Sequence, residues 1–578
     1  MRDLRVLARY LAPCRRDFAA AVALLLAECC LEMAIPLLMS RAIDGGVAAG
    51  DAAFLCRQGL LMALCAGLAL AAGFLYARFA ARGAYRFGAG LRQAEYEKVQ
   101  RFAFSNLDRF SSSSLVTRMT TDITVMQNAV NGGLRPMVRG PVMLLLGVGL
   151  SFLMNAKLAL VFVVSTPILG AVLALIVHKV GPLYGRQQQA MDRLNSRIQE
   201  GLTGIRAIKA FVRGEYEEAR FQEVSQELSD ASRATFQNAV LNLPCFQLVM
   251  YTAVAAILWF GGRFIMEGEM LVGELTGFLS YVLQVMNSLM MISNVFLLLT
   301  RSLTSARRIG QVLEEEPDLE EAARPVREVP DGSIDFDRVS FQYQAGAEKY
   351  ALREVDLHIQ AGETVGILGG TGSAKSTLVQ LIPRLYDATE GTVRVGGRDV
   401  RSYSLSALRD AVGIVLQKNV LFSGTVRDNL KWGDPEADDG ALWAACRAAC
   451  ADEFLELIPR GLDTDLGQGG VNVSGGQKQR LCIARTLLKN PKILIFDDST
   501  SAVDTATEGK IRQALAQRRD VTKLIIAQRL TSVMEADKIV ILEDGRIHAV
   551  GTHRELLASD PIYQEIYRSQ MREEDTHG

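Results

Sequence analysis

The run Gly369-Gly370-Thr371-Gly372-Ser373-Ala374-Lys375-Ser376-Thr377 places three glycines, one lysine and four hydroxyls in nine residues. Successive amides in such a loop cradle phosphates. Lys375 reaches the β and γ oxygens, and Ser376 ligates magnesium. The flanks suit the task, because Thr364–Leu368 reads as a strand and Leu378–Leu381 as a helix. Alanine at 374 stands where the pattern prefers glycine. A methyl group is tolerated wherever φ is negative, and that is the conformation expected here. A second apolar strand, Ile493-Leu494-Ile495-Phe496, ends in Asp497-Asp498. The first acid is placed to hold magnesium through water, the second to polarise an attacking water. Between these runs lies Val473-Ser474-Gly475-Gly476-Gln477. Ser474 and the glycine amides at a helix start form an anion site that needs a phosphate from elsewhere.

The elements that hold these residues follow from pattern. From residue 333 onward, apolar runs alternate with helical segments, the signature of a parallel sheet covered by helices. A charged, proline-containing stretch at 314–332 reads as a linker. The first half differs in character. Residues 1–300 carry 21 acidic and 28 basic residues, against 43 and 35 in residues 301–578. A charge-poor half joined to a charge-rich half reads as a membrane domain followed by a soluble one. Six apolar stretches, roughly 18–40, 58–80, 136–154, 158–178, 239–262 and 275–300, reach the ~20 helical residues that cross a bilayer. The segments 81–135 and 179–238 are long, charged and helix-periodic. Residues 1–16, with Leu4, Leu7 and Leu11 among arginines, suit a helix lying on the inner membrane face. Arginines before the first span and in both long loops place the termini in the cytoplasm.

Within the spans stand Glu28 and Glu32, then Gln247, Gln284, Asn287 and Asn294. An intramembrane carboxylate faces a wet cavity or a partner. A pathway for cationic or amphiphilic substrates is one reading, and interhelical hydrogen bonding the other. The net charge of −1 argues against a bulk nucleic-acid binder, and the arginine patches read as solvated or lipid-headgroup faces. Nine scattered cysteines imply no disulfide framework.

Taken together, the motifs resemble those of an ATP-binding cassette (ABC) protein. Val473-Ser474-Gly475-Gly476-Gln477 is similar to its Leu-Ser-Gly-Gly-Gln signature. Tyr343 matches the aromatic that stacks on adenine, Gln417 the Q-loop glutamine, and Ser499-Thr500-Ser501-Ala502-Val503-Asp504 the D-loop. Gln528 sits at the switch-histidine position. Six spans ahead of one cassette resemble an ABC exporter half-transporter. The resemblance implies ATP and Mg2+ as ligands, a second half-transporter as partner, and coupling helices near 108–115 and 204–211. The implied fold is an all-α six-span domain (17–313) with helical extensions, followed by an α/β cassette (333–578).

Three departures narrow the expectation. The family's catalytic glutamate is here Asp498, its switch histidine is Gln528, and an acidic residue ahead of the signature is Gln468. General bases contribute about 10²–10⁴-fold, so this chain's own site is expected to be slow while its signature serves a partner. That pattern resembles the degenerate half of bacterial heterodimeric exporters in the cytoplasmic (inner) membrane. Multidrug-type amphiphiles are the expected cargo. A homodimeric drug or lipid pump and a non-pumping nucleotide-gated regulator are the alternatives.

Overall fold

The computed structural model describes residues 2–343, 349–498 and 504–577. It divides into two compact units, one formed by residues 1–100 and 111–315, the other by residues 101–110 and 316–578.

The first unit is all helical. A short helix α1 (Arg2–Leu11) is followed by α2 (Arg15–Ala42), α3 (Ala52–Gln100), α4 (Phe104–Arg109, which belongs to the second unit) and α5 (Ser112–Thr117). Then come α6 (Ile123–Met154), α7 (Ala156–Thr203), α8 (Ile205–Ala210), α9 (Gly214–Ala239), α10 (Asn242–Met266) and α11 (Val272–Glu314). Among the described residues, six helical segments are long and apolar enough to cross a membrane. They run well past the expected span limits. At 1.5 Å per residue the 49 residues of α3 extend about 70 Å, more than twice a hydrocarbon core. The charged segments 81–135 and 179–238 are largely helical and extend the spans, in keeping with their helix periodicity.

Asn155 alone separates α6 from α7, and its side chain caps α7 by accepting from Leu158 N at 3.1 Å. Pro36 in α2 and Pro136 and Pro141 in α6 sit inside long helices, as membrane helices allow. Small residues mark the closest packing. A Cβ on Gly73 of α3 would lie 3.3 Å from Glu28 of α2, and one on Gly83 3.0 Å from Phe18, the close approach that lets membrane helices gain dispersion contacts. Tyr281 of α11, fully buried, donates to the Met33 carbonyl of α2 at 2.8 Å.

The intramembrane acids have partners. Arg135 and Arg139, one turn apart on α6, reach α2: Arg135 contacts Glu28 at 2.5 Å, and Arg139 contacts Glu28 at 3.0 Å and Glu32 at 2.5 Å. Two acids thus meet two bases in an interhelical ion-pair network, the arrangement that the interhelical-bonding reading of these acids describes. Gln284 is half-buried, Asn287 is exposed, and both lie on α11. The Asn294 side chain lies outside the described residues.

The range 108–115, expected to hold a coupling helix, meets two short helices. It straddles the end of α4 and the start of α5, because Phe110 is extended and the Ser111 hydroxyl starts a new helix by accepting from Ser114 N. Between 204 and 211 the chain forms the short exposed helix α8, Ile205–Ala210.

The second unit holds two sheets. Strands β1 (Ile334–Phe341), β2 (Leu352–Ile359), β4 (Glu390–Val395) and β5 (Arg398–Asp399) form an antiparallel sheet in the order β2-β1-β4-β5. Strands β3 (Thr364–Leu368), β6 (Val412–Val415), β7 (Ile493–Asp497), β8 (Thr522–Ile526), β9 (Lys538–Glu543) and β10 (Arg546–Gly551) form the other, in the order β10-β9-β3-β8-β7-β6. Its four pairings from β9 to β6 are all parallel, and among the described strands of this sheet only β10 runs antiparallel. Strand β7 is buried along its whole length, as expected of a central parallel strand covered on both faces. The carboxyl ends of β3, β7 and β8 therefore lie side by side, the usual place for a ligand in an open α/β sheet.

Candidate functional site

The glycine loop leaves the end of β3 and feeds the helix Lys375–Gln380. Gly369 takes φ +156°, and a Cβ there would sit 2.2 Å from the Leu542 carbonyl oxygen, so only glycine fits. Ala374 departs from expectation. Its φ is +71° and its ψ 25°, in the left-handed region rather than at negative φ. The loop's path, and not the residue's preference, sets that angle: Ala374 is the residue at which the turn becomes helix. The Lys375 ammonium bonds the carbonyls of Gly369 and Gly370, both at 2.8 Å. Burial pulls its pKa below the ordinary lysine value, opposed by the charges of Asp498 and Asp497.

Asp497 ends β7 and is buried. Ser376 Oγ donates to its carboxylate at 2.7 Å. Desolvation pushes the Asp497 pKa upward, with the neighbouring Asp498 charge adding to the rise. Asp498 follows at φ +47°, a conformation that aspartate tolerates better than most residues. Its amide bonds the Ile526 carbonyl at 3.1 Å, which ties it to the end of β8. Gln528, two residues beyond β8, donates from Nε2 to Asp498 Oδ2 at 2.8 Å. Gln417 also hydrogen-bonds this carboxylate, and desolvation outweighs both bonds to raise the Asp498 pKa.

These groups surround one cavity of about 740 Å³. Tyr343, Thr371, Gly372, Ala374, Lys375, Ser376, Thr377, Gln417, Asp497, Asp498 and Gln528 line it. Tyr343 is half exposed, and its hydroxyl shares a 2.8 Å hydrogen bond with Thr377. Lys349, Tyr350, Arg353 and Asp544 line the cavity too. Sequence reading missed them, since none belongs to a motif and only the sheet brings them near the loop. The arrangement suits a nucleoside triphosphate with its metal: an aromatic face at one end, amides and an ammonium in the middle, and acids beyond. Ser376 and Asp497 offer the hard oxygen donors magnesium prefers, with Gln417 on the same cavity wall. When bound, the ion would neutralise charge on the β and γ phosphates.

The signature does not line this cavity. Ser474 caps the helix Gly475–Leu488 in a reciprocal box, Gln477 N to Ser474 Oγ at 3.3 Å and Ser474 N to Gln477 Oε1 at 2.9 Å. Gly475 and Gly476 form the first turn, and Val473 packs against the core beneath. Asp504 caps the helix Thr505–Ala516. Residues 499–503 of the D-loop motif lie outside the described residues.

Comparison with known proteins agrees with both halves. Residues 18–289 match the family described as ABC transporter transmembrane region, and residues 352–501 match the ABC transporter family. An uncharacterized ABC transporter ATP-binding protein of Bacillus subtilis (strain 168), YfiB, is 38% identical over 554 residues, 96% of each chain. The ATP-dependent lipid A-core flippase of Chromohalobacter salexigens is 32% identical over 98% of each chain. A bacterial Atm1-family ABC exporter, solved with ATP bound, superposes with a TM-score of 0.82 at 25% identity, covering 96% of this chain and 98% of that one. With a membrane region and a cassette in one polypeptide, the chain belongs to the ABC transporters and is an exporter half-transporter, a multi-pass membrane protein with an ATP-hydrolysing domain.

Proposed function

We propose that this chain is the degenerate-site half of a heterodimeric exporter in the bacterial cytoplasmic (inner) membrane. The observation that carries the reading is the bond between Gln528 and Asp498. The shortened acid, at the position of the family's catalytic glutamate, accepts an amide proton from the residue at the switch position. A side chain one methylene short, with its Oδ2 turned toward Gln528, is poorly placed to take the proton of a water attacking the γ-phosphate. The site binds ATP through Tyr343, the 369–377 loop and Gln417, with magnesium on Ser376 and Asp497. It retains the nucleotide rather than turning it over. The Val473–Gln477 signature and Asp504 complete the partner's site, where hydrolysis occurs.

In this reading residues 1–16 form an interfacial elbow, 17–313 the six-span domain and 314–332 the linker, with both termini and the cassette cytoplasmic. Closure of the two cassettes on ATP moves the coupling helices near 108–115 and 204–211 and turns the spans from inward- to outward-open. Multidrug-type amphiphiles are the cargo. A lipid cargo is the second reading, favoured by the similarity to lipid A-core flippases over 82% to 98% of this chain.

The test is magnesium-dependent ATPase activity in lipid nanodiscs. The chain is assayed alone, with a half-transporter carrying glutamate and histidine at the two positions, and as the Asp498→Glu/Gln528→His variant. Near-background turnover alone, activity in the pair and a gain in the variant are expected. Brisk turnover by the wild-type chain alone would point to a homodimeric pump. A pair that binds ATP yet shows no cargo-stimulated turnover would point to a regulator.

A further inference from the structure

The segment Arg101–Phe110 packs with the cassette rather than with the helices it connects, and its contacts lead to the nucleotide cavity. Asn106 is fully buried and knots α4 in place. Its Oδ1 accepts from the amides of Ala103 and Asp318, at 3.1 and 3.0 Å, and its Nδ2 donates to the Glu316 carbonyl at 2.9 Å. Arg109 adds an ion pair with Asp318 at 3.1 Å. Those contacts hold the helix but do not touch the ligand cavity.

A second set does. Tyr386, only 8% exposed, donates its hydroxyl to Asp108 Oδ2 at 2.7 Å. Its ring meets Phe104 of α4 edge-on, with centroids 6.0 Å apart at 78°. On the other side it meets Tyr343 edge-on, 5.4 Å away at 87°. Phe341 closes the cluster, 4.9 Å from Tyr343 and 5.5 Å from Tyr386. Tyr343 is itself tethered to Thr377 of the phosphate loop. One ring therefore separates the aromatic wall of the cavity from Phe104 and Asp108 of α4. Aromatic edge-to-face contacts are directional, so a tilt of Tyr343 is felt by Tyr386, and through its hydroxyl by Asp108.

We infer that Tyr386 is a positioning residue that transmits adenine occupancy from Tyr343 to α4. A base stacked on the exposed face of Tyr343 clamps that ring against Tyr386. Tyr386 in turn loses freedom to swing, and α4 is held in a single register on the cassette. The signal is carried by the base and not by the phosphates. α4 thereby reports nucleotide binding before any γ-phosphate closes the cassettes. The inference rests on the reading of Tyr343 as the adenine platform.

Hydrogen–deuterium exchange on the full chain in nanodiscs tests it, with ADP, ATP and inorganic tripolyphosphate as probes. ADP carries the base without a γ-phosphate, and tripolyphosphate fills the phosphate loop without a base. All three are expected to protect the 369–377 peptide. Only ADP and ATP should slow exchange in the 103–110 peptide, by about threefold or more. Tyr386→Leu should keep the loop protection and lose the α4 response, and Tyr386→Phe, which keeps the ring against Phe104 but loses the bond to Asp108, should retain part of that response. Equal α4 protection by tripolyphosphate, or an undiminished ADP response in Tyr386→Leu, would overturn the inference. So would a protected loop with an indifferent α4 in the wild-type chain, a comparison that needs no variant. If ADP protects neither the loop nor Tyr343, the nucleotide-site reading itself fails, a result distinguishable from the others.

Discussion

Replacing Ala374 with glycine probes the phosphate loop more sharply than deleting Lys375 would. An alanine at φ +71° and ψ 25° carries the left-handed penalty, roughly 1–2 kcal/mol for a residue with a Cβ. Ala374→Gly removes it. Two terms act the other way. Glycine has more freedom to lose on folding, about 0.5–1 kcal/mol. The alanine methyl is also half-buried against the cassette core, and its loss costs about half of the ~0.8 kcal/mol for a fully buried carbon. The opposing terms nearly cancel, leaving a net change between about −0.5 and +1 kcal/mol of stability. At a negative φ only the two losses would remain, and the variant would be destabilised by at least about 1 kcal/mol. Calorimetry of the full chain in nanodiscs, following the cassette transition, separates these cases. For a unit of this size 1 kcal/mol moves Tm by about 2–4 °C. An unchanged or slightly raised Tm is expected, with ATP affinity preserved. A fall of about 3 °C or more would refute the left-handed assignment and the strain argument with it.

Asp498→Asn removes a charge that burial disfavours while keeping a side chain suited to positive φ. The folded pKa is raised above the ordinary 3.8, so the aspartate favours folding below that value and loses this contribution as pH rises through the raised pKa. The variant should therefore melt higher than the wild type at neutral pH, and the gain should shrink as pH falls toward 4; a gain independent of pH would count against desolvation as the cause. Ser474→Ala breaks the capping box and should cost about 1 kcal/mol locally. The expected readout is faster amide exchange in the first turn of Gly475–Leu488, together with lost hydrolysis in a heterodimer whose ATP affinity is intact. For the ion-pair network, Glu28→Gln and Arg139→Gln should each lower Tm, and the double variant should recover part of the loss, with a coupling of about 1 kcal/mol or more. If Glu28→Gln instead leaves Tm unchanged and selectively abolishes stimulation by cationic amphiphiles, the acids act on cargo.

What could be read from sequence divides by the range of the interaction. The phosphate loop, the Asp497–Asp498 pair and the signature are contiguous runs whose chemistry is local. Their types and spacing carry the message, and the sheet order places the loop and the acid pair on one cavity. The helical spans were legible for the same reason, because hydropathy is a property of a window. Their ends were not, since a charged, helix-periodic sequence does not distinguish a continuation of the span from a separate helix. Only the packing of α3 and of α7 against its neighbours decides it.

The arginine pairing shows where local reading stops. Arg135 and Arg139 are four residues apart, so sequence alone puts them on one face of α6. It also puts Glu28 and Glu32 on one face of α2. Neither spacing says that the two faces meet, because that depends on the register of two helices more than 100 residues apart. The cost of burying a charge sharpens the choice between readings: an acid on a buried helix face is tolerated only with a partner, so finding two acids one turn apart was grounds to search other helices for two bases at the same spacing. Ala374 is the converse case. Its backbone angle is imposed by the loop on either side of it, and a residue chosen against its own preference leaves no trace in composition or periodicity. Tyr386 is silent for a third reason. It lies in no motif, and its importance comes from standing between Tyr343 and Asp108, residues separated by more than 200 positions and joined only when residues 101–110 fold onto the cassette.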